Sequence, residues 1–346
     1  MYSIILNNSY YLIAQIMLCF FLFYTINIIL EKIDFFDIPE ERKIHDRPIT
    51  PSGGIGIFFS LIILIFLLNI DDWLNYLIVT SSLIVIIGII DDKIQLGIKV
   101  RIFAQIVSCL IMINLNRYLN NFEEIFGFDF EYANIFGIFF TTICVIAYTN
   151  ANNFIDGFDG LLGTTNIFIY SIIIFLLYYF GYHNHIIFPL IILISILVFL
   201  FFNLNILSLP RIFLGDNGST LLGFITSWYL IYLNIEFENI FTPTLIIWII
   251  ALPMFDFLRV LLSRILRNKN ALNPELNHIH HILISLNFKK YSILLIILTM
   301  NLFFLIFGYL LQLYIDNKIV IYAIYFIVFL IYYFIFESKT KYIKNY

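Results

Sequence analysis

The sequence predicts an all-α polytopic membrane protein, and three observations carry that prediction. Mean hydropathy is +0.96, only 12% of residues are charged, and long apolar runs recur along the whole chain. Soluble domains carry about 25% charged residues, so half that share cannot furnish a water-facing shell. Runs of roughly 17 to 24 residues, long enough to cross a hydrocarbon core of about 30 Å as helix, fall at 9–30, 54–70, 74–90, 100–115, 133–149, 161–181, 186–203, 219–235, 241–262, 292–315 and 319–336. These make about eleven spans in one integral membrane domain, 1–346. The first has no basic segment before it and no small-residue cleavage site after it, so a removable signal peptide is not expected.

Orientation follows from the loops. With the N-terminus outside and the C-terminus cytoplasmic, seventeen of the nineteen Lys and Arg residues lie inside, and only Arg117 and Lys318 lie outside. Cytoplasmic loops are enriched in Lys and Arg, so this asymmetry supports both the polarity and the odd span number. The unusual polar segments then share the cytoplasmic face: Arg42 to Gly56, Asp91 to Arg101, Asn150 to Leu161, Arg211 to Ser219, and Asn273 to His281. Outer pairs such as Asp71-Asp72 and Glu123-Glu124 lack glycine, histidine or amide company and read as solvated ends. Cys19, Cys109 and Cys144 sit inside apolar runs without metal-ligand spacing and read as packing residues. A net charge of −4 offers no basic surface for nucleic acid.

The segments can be weighed one at a time. Basic residues and then Pro48, Pro51, Gly53, Gly54 and Gly56 lead into the second span, a pattern that suits anionic headgroups or a phosphate at the mouth of a site. Asp91 and Asp92 close the third span. Adjacent carboxylates repel unless a cation lies between them, and the pair is either a water-facing helix end or a base or metal ligand. In Asn150-x-x-Asn153-x-x-Asp156-Gly157-x-Asp159-Gly160-Leu161, the three-residue spacing projects the polar groups to one side of a helical or near-helical turn. A calcium loop is rejected because the alternating ligands and terminal glutamate are missing, and a capped helix start is the plain alternative. Phe213-Leu214-Gly215-Asp216-Asn217-Gly218-Ser219 sets an acid before the eighth span, either as a turn capped by Ser219 or as a phosphate and Mg²⁺ site at a helix N-terminus. His278-Ile279-His280-His281 lies near Arg264, Arg267 and Lys269, which favours a bound anion over zinc or a merely solvated loop. Asp256 and Arg259, three apart within the ninth span, should pair, since lone charges there are costly.

Taken in order, these segments resemble the polyprenyl-phosphate N-acetylhexosamine-1-phosphate transferase family (glycosyltransferase family 4, MraY/WecA-like), over about residues 30 to 290. The family includes peptidoglycan translocase I enzymes and the initiators of O-antigen, common antigen and teichoic acid synthesis. The His-x-His-His form looks like the WecA-like branch, which takes simple UDP-N-acetylhexosamines. The resemblance implies transfer of an N-acetylhexosamine-1-phosphate, foremost GlcNAc-1-phosphate, from a UDP-sugar to undecaprenyl phosphate with release of UMP, in the bacterial inner membrane. It also implies Mg²⁺, with Mn²⁺ as substitute, held by Asp216. By the same resemblance Asp91 is the base toward the lipid phosphate, Asp92 supports it, and Asp156 and Asp159 complete the catalytic acids. Substrate contacts are expected from Arg47, Lys99, Asn150, Asn153, Gly160, Leu161, His278, His280 and His281. Glu275-Leu276 stands where relatives often carry Asp-Arg, which leaves Arg264 or Arg267 to supply an arginine contact. A homodimer is a further expectation. The competing functions are a different UDP-amino sugar or UDP-MurNAc-pentapeptide on the same fold, and a lipid-saccharide flippase or transporter. A transporter would spread its polar residues through mid-membrane in repeated halves, whereas here they gather on one face.

Overall fold

The computed structural model describes residues 2–38, 47–68, 72–115, 118–119, 133–268, 277–340 and 343. Among them the structure is helical: α1 (Tyr2–Lys32), α2 (Ser52–Leu68), α3 (Asp72–Ile94), α4 (Ile98–Ile113), α5 (Ala133–Ile155), α6 (Leu161–Tyr179), α7 (Ile187–Asn203), α8 (Gly215–Glu236), α9 (Pro243–Ile249), α10 (Ala251–Leu266), α11 (Ile279–Ser285), α12 (Lys290–Tyr314) and α13 (Lys318–Glu337). The described residues of the expected spans are largely helical, with 241–262 divided between two helices. Seven helical segments among the described residues are long and apolar enough to cross a membrane, and α9 with α10 makes an eighth if the pair counts as one span. The chain is therefore a multi-pass membrane protein.

The expected ninth span is corrected to a broken helix, bent by 74° between α9 and α10. Pro253 explains the break. Its ring has no N–H to donate to the carbonyl four residues back, at Ile249, and crowds that carbonyl, and Ile249 is where α9 ends.

The chain packs as two compact units, Met1–Leu115 with Phe158–Ile225 and Asn116–Gly157 with Thr226–Tyr346. In the first, α1 packs on α2 and α7, α2 on α3 and α7, α3 on α4, and α6 on α7. Phe23 of α1 meets Phe199 and Phe202 of α7 edge-on. Beside them, Gln15 Nε2 donates to Ser195 Oγ at 2.6 Å, and Ser60 Oγ lies 3.2 Å from the same hydroxyl. All three polar side chains are buried, so the Gln15 amide N–H finds its partner across the helices where lipid offers none. In the second unit α10 packs on α5, α12 and α13, and α9 on α12 and α13. Trp248 and Phe255, both fully buried, anchor an aromatic cluster with Phe304 and Tyr325.

Candidate active site

In the first unit the acids expected to do chemistry do meet. Asp91 and Asp92 end α3, and successive helical residues project about 100° apart, so the two carboxylates serve different partners. Arg101, on the first turn of α4, donates one guanidinium nitrogen to Asp91 Oδ2 at 2.9 Å and to Asp216 Oδ2 at 3.1 Å. A cation does separate carboxylates, but the pair it bridges is Asp91 with Asp216. Asp92 turns instead to the start of α8. Its Oδ1 accepts the Asp216 backbone N–H at 2.7 Å, and its Oδ2 accepts the Asn217 side-chain amide at 2.5 Å. A carboxylate at a helix N-terminus satisfies orphan N–H groups and complements the helix dipole, so Asp92 joins the end of α3 to the start of α8. Asp91 is buried, whereas the Asp216 side chain is 40% exposed. The two acids line a small pocket with Gly88, Arg101, Gln105 and Thr220.

This closure depends on backbones approaching without side chains between them. Phe213 N donates to Thr50 O at 2.9 Å, and Gly53 N and Gly54 N donate to Phe213 O and Leu214 O at 2.9 and 3.0 Å. The proline- and glycine-rich entry to α2 thereby pairs with the segment leading into α8. A Cβ placed on Gly88 would sit 2.3 Å from Asn217 Cα, and one on Gly54 would sit 2.2 Å from Gly218 Cα. Small residues are what allow helices to come this close in a membrane.

The segment from Asn150 to Leu161 departs from the expected helical turn. Asn150 and Asn153 lie on the last turns of α5, which stops at Ile155, and Asp156 to Gly160 form a non-helical turn. The physical reason is Gly160, whose φ of +85° is a left-handed conformation that breaks helical continuity and that glycine adopts readily. The turn divides between the units, with Asp156 in the second and Asp159 in the first. Asn150 Nδ2 donates to Ile146 O at 2.8 Å. Asp159 pairs with Arg211, whose guanidinium lies 5.3 Å from the Phe213 ring centre. Gly160 N donates to Asn203 Oδ1 at 2.7 Å, and Asn203 Nδ2 donates to Ile212 O at 3.0 Å, so one amide ties this turn to the segment before Asp216. Leu161 is fully buried and acts as a packing residue there.

In the second unit the histidine segment is not a loop. His278 occupies the cap position of α11, and His280 and His281 lie on that helix. His278 Nδ1 lies 2.8 Å from Asp256 Oδ2, and Asp256 Oδ1 accepts Ile279 N at 2.9 Å. Phe154 of α5 stacks on the His278 ring at 5.4 Å between centres. The expected Asp256–Arg259 pair forms at 2.8 Å, and Arg259 also donates to Asn277 O. His280 is fully buried, with Gly157 so near that a Cβ there would fall 1.8 Å from Nε2. Burial, with neighbouring histidines adding to it, holds His280 well below the usual imidazole range. Burial likewise brings His281 down to about 4. Such neutral rings can offer one N–H each to a phosphate or sugar without carrying charge.

Arg47 and Lys99 are exposed, and Arg101 rather than Lys99 reaches the acids. Arg267 pairs with Glu337. Arg42, Lys43, His45, Asp46, Lys269, Glu275 and Leu276 lie outside the described residues. Arg101, Asn203, Arg211 and Asn217 were not expected in the site, although Arg101, Arg211 and Asn217 lie within the polar interruptions; Asn203 closes an apolar run.

Among the described residues no group of three or more His, Cys, Asp or Glu side chains is arranged to hold a metal ion. The two carboxylates facing one cation are nonetheless hard oxygen donors, and Mg²⁺ typically takes one or two such groups and completes its shell with water and substrate phosphates. The donor set therefore fits Mg²⁺ without a protein-only cage.

The family model described as glycosyl transferase family 4 matches residues 74–234. An Escherichia coli O157:H7 protein named undecaprenyl-phosphate alpha-N-acetylglucosaminyl 1-phosphate transferase is 30% identical over 266 residues, covering 75% of this chain and 72% of its own. A Yersinia pestis protein of the same name is 30% identical over 263 residues, with the same coverages. A Bacillus subtilis (strain 168) protein, named as a probable undecaprenyl-phosphate N-acetylglucosaminyl 1-phosphate transferase, is 29% identical over 273 residues, covering 77% of this chain and 75% of its own.

Proposed function

Because the chain belongs to glycosyl transferase family 4, we propose that it transfers N-acetylglucosamine 1-phosphate from UDP-N-acetylglucosamine to undecaprenyl phosphate and releases UMP. The relatives' names supply the lipid acceptor and the transferred N-acetylglucosamine 1-phosphate group. The observation that carries the chemistry is the convergence of Asp91 and Asp216 on Arg101. An oxygen of the lipid phosphate attacks the phosphorus that bears the sugar, and the bond from that phosphorus to the UMP oxygen breaks. Both reactants are anionic, so catalysis is chiefly positioning and charge neutralisation. Asp216 would hold Mg²⁺, which when bound neutralises phosphate charge. Asp91 accepts the proton of the lipid phosphate, Arg101 sets positive charge beside both acids, and Asp92 keeps the start of α8 in place. Asp156, Asp159, Asn150, Asn153 and Gly160 border the nucleotide, His280 and His281 offer ring N–H groups to the sugar phosphate, and His278, whose Nδ1 faces Asp256, presents Nε2 to the sugar as an acceptor. Arg47 and Lys99 meet anionic groups at the mouth of the site.

We place the N-terminus outside, the C-terminus in the cytoplasm and the site on the cytoplasmic face of a bacterial inner membrane. The soluble nucleotide sugar and the lipid then enter from their own phases. The product is the first membrane-bound intermediate of a surface polysaccharide.

Purified protein in detergent, given undecaprenyl phosphate, Mg²⁺ and a panel of UDP-sugars, should release UMP fastest with UDP-N-acetylglucosamine. Asp216→Ala should lower that rate by roughly a hundredfold or more, the usual cost of losing a principal charge-stabilising group. Failure to release UMP with any UDP-amino sugar, combined with movement of lipid-linked sugars across vesicles, would overturn the reading in favour of a flippase.

A further inference from the structure

The histidine segment is held from the far end of the chain. Arg259, fully buried, grips it in two ways: directly at the Asn277 carbonyl, and through Asp256, which receives the His278 ring and the Ile279 N–H. The far side of Arg259 faces α13. Its Nη1 lies 3.6 Å from Glu337 Oε2, and Glu337 Oε1 accepts Ser263 Oγ at 2.8 Å and pairs with Arg267. Tyr332, one and a half turns earlier on α13, donates to Asp256 Oδ1 at 3.3 Å. Asp256, Arg259, Glu337 and Arg267 are two negative and two positive groups, an internally balanced chain of charges running from the last helix to the histidines.

We propose that Glu337 is a positioning residue for the UDP-sugar subsite, acting through Arg259 and Asp256 to fix the tautomer and direction of the His278 ring. The chemistry is as follows. Asp256 can only accept at His278 Nδ1, so that nitrogen carries the proton and Nε2 becomes the atom available to a ligand. Asp256 keeps this orientation because Arg259 holds it, and Arg259 has a second acid to share its charge only while Glu337 is present. Loss of that acid lets the guanidinium lean fully on Asp256 and away from Asn277 O. A buried charge that loses a partner rearranges rather than stays. The proposal rests on the transferase reading for its substrate, but the tautomer claim stands apart from it.

The test uses full-length protein in detergent, with Glu337→Gln, which keeps an acceptor for Ser263 but drops the charge, and Glu337→Asp as the conservative variant. Ring ¹⁵N NMR of histidine-labelled protein should show one ring locked as the Nδ1–H form in the parent and averaged between tautomers in Glu337→Gln. The KM for UDP-N-acetylglucosamine should rise by about five- to tenfold, the scale of a small misplacement of a positioning group, with kcat and the KM for undecaprenyl phosphate within about twofold. Glu337→Asp should restore most of both signals. A folded Glu337→Gln protein with the parent's locked signal and parent KM would overturn the proposal, as would a kcat loss with no KM change. If the parent releases no UMP at all, the transferase reading falls while the NMR comparison still decides the role of Glu337.

Discussion

At the scale of single residues, the separation between Lys99 and Arg101 shows what a sequence of this kind discloses. Both are basic, both follow the acid pair, and the pattern alone favours neither. Two residues on a helix stand about 200° apart, so only one can face the acids at the end of α3, and it is Arg101. Asp91, Asp92 and Asp216 were legible because charge in an apolar run has few innocent explanations. That Asp92 would cap α8 was not, because the backbone groups it serves lie more than a hundred residues away. The histidines give a testable pH response. His281 is held at about 4 against an ordinary 6.5, and His280 is displaced in the same direction. Between those values the unfolded chain binds protons that the folded protein does not. The stability linked to them is therefore full above about pH 6.5 and is lost as pH falls through about 4. The thermal midpoint in detergent should drop across that window, and His281→Gln should make the drop shallower; an equal slope in both proteins would contradict the assignment.

At the scale of elements, the helices were legible from apolar run length, and their breaks were not. The run 241–262 is uniformly apolar, and only Pro253 marks where α9 must stop and α10 begin. A proline inside a helical pattern is a known sign of a break, but apolar length masked it. Close approach of elements is likewise invisible in composition: Gly88 looks like any other glycine until α8 is set against α3. Gly88→Ala would bring a methyl to 2.3 Å from Asn217 Cα, a collision with backbone that no rotamer change relieves. We expect the ends of α3 and α8 to separate, UMP release to fall more than about tenfold, and the melting temperature to drop by several degrees, since overpacking costs about 1 to 3 kcal/mol. Thermal melts and initial rates on the same preparation would check this, and a Gly88→Ala protein with parental rate would show that α3 does not set the acid geometry.

At the scale of the whole molecule, the chain alternates between two compact units, leaving the first near residue 115, returning near 158 and departing again within α8. No sequence pattern announces that exchange, because both units are built from the same apolar helices. The proposed orientation rests on summed loop charge rather than on packing, so labelling from each side tests it. With single cysteines introduced into a protein whose own three are replaced by serine, Lys289→Cys should react with a membrane-impermeant maleimide only from the cytoplasmic side, and Lys318→Cys only from outside. Labelling of both positions from one side would refute the eleven-span arrangement.

Arg101 also matters in the order of synthesis. Asp92 leaves the ribosome 124 residues ahead of Asp216, and Asp91 just before it, which at about 5 to 20 residues per second is roughly 6 to 25 s. For that interval the helix carrying both acids must be accepted by the membrane without its later partner. Arg101 emerges only ten residues behind Asp91, soon enough to neutralise the acid during insertion. The residue that bridges Asp91 and Asp216 in the folded protein is thus also a counter-charge available to Asp91 almost as soon as that helix is made.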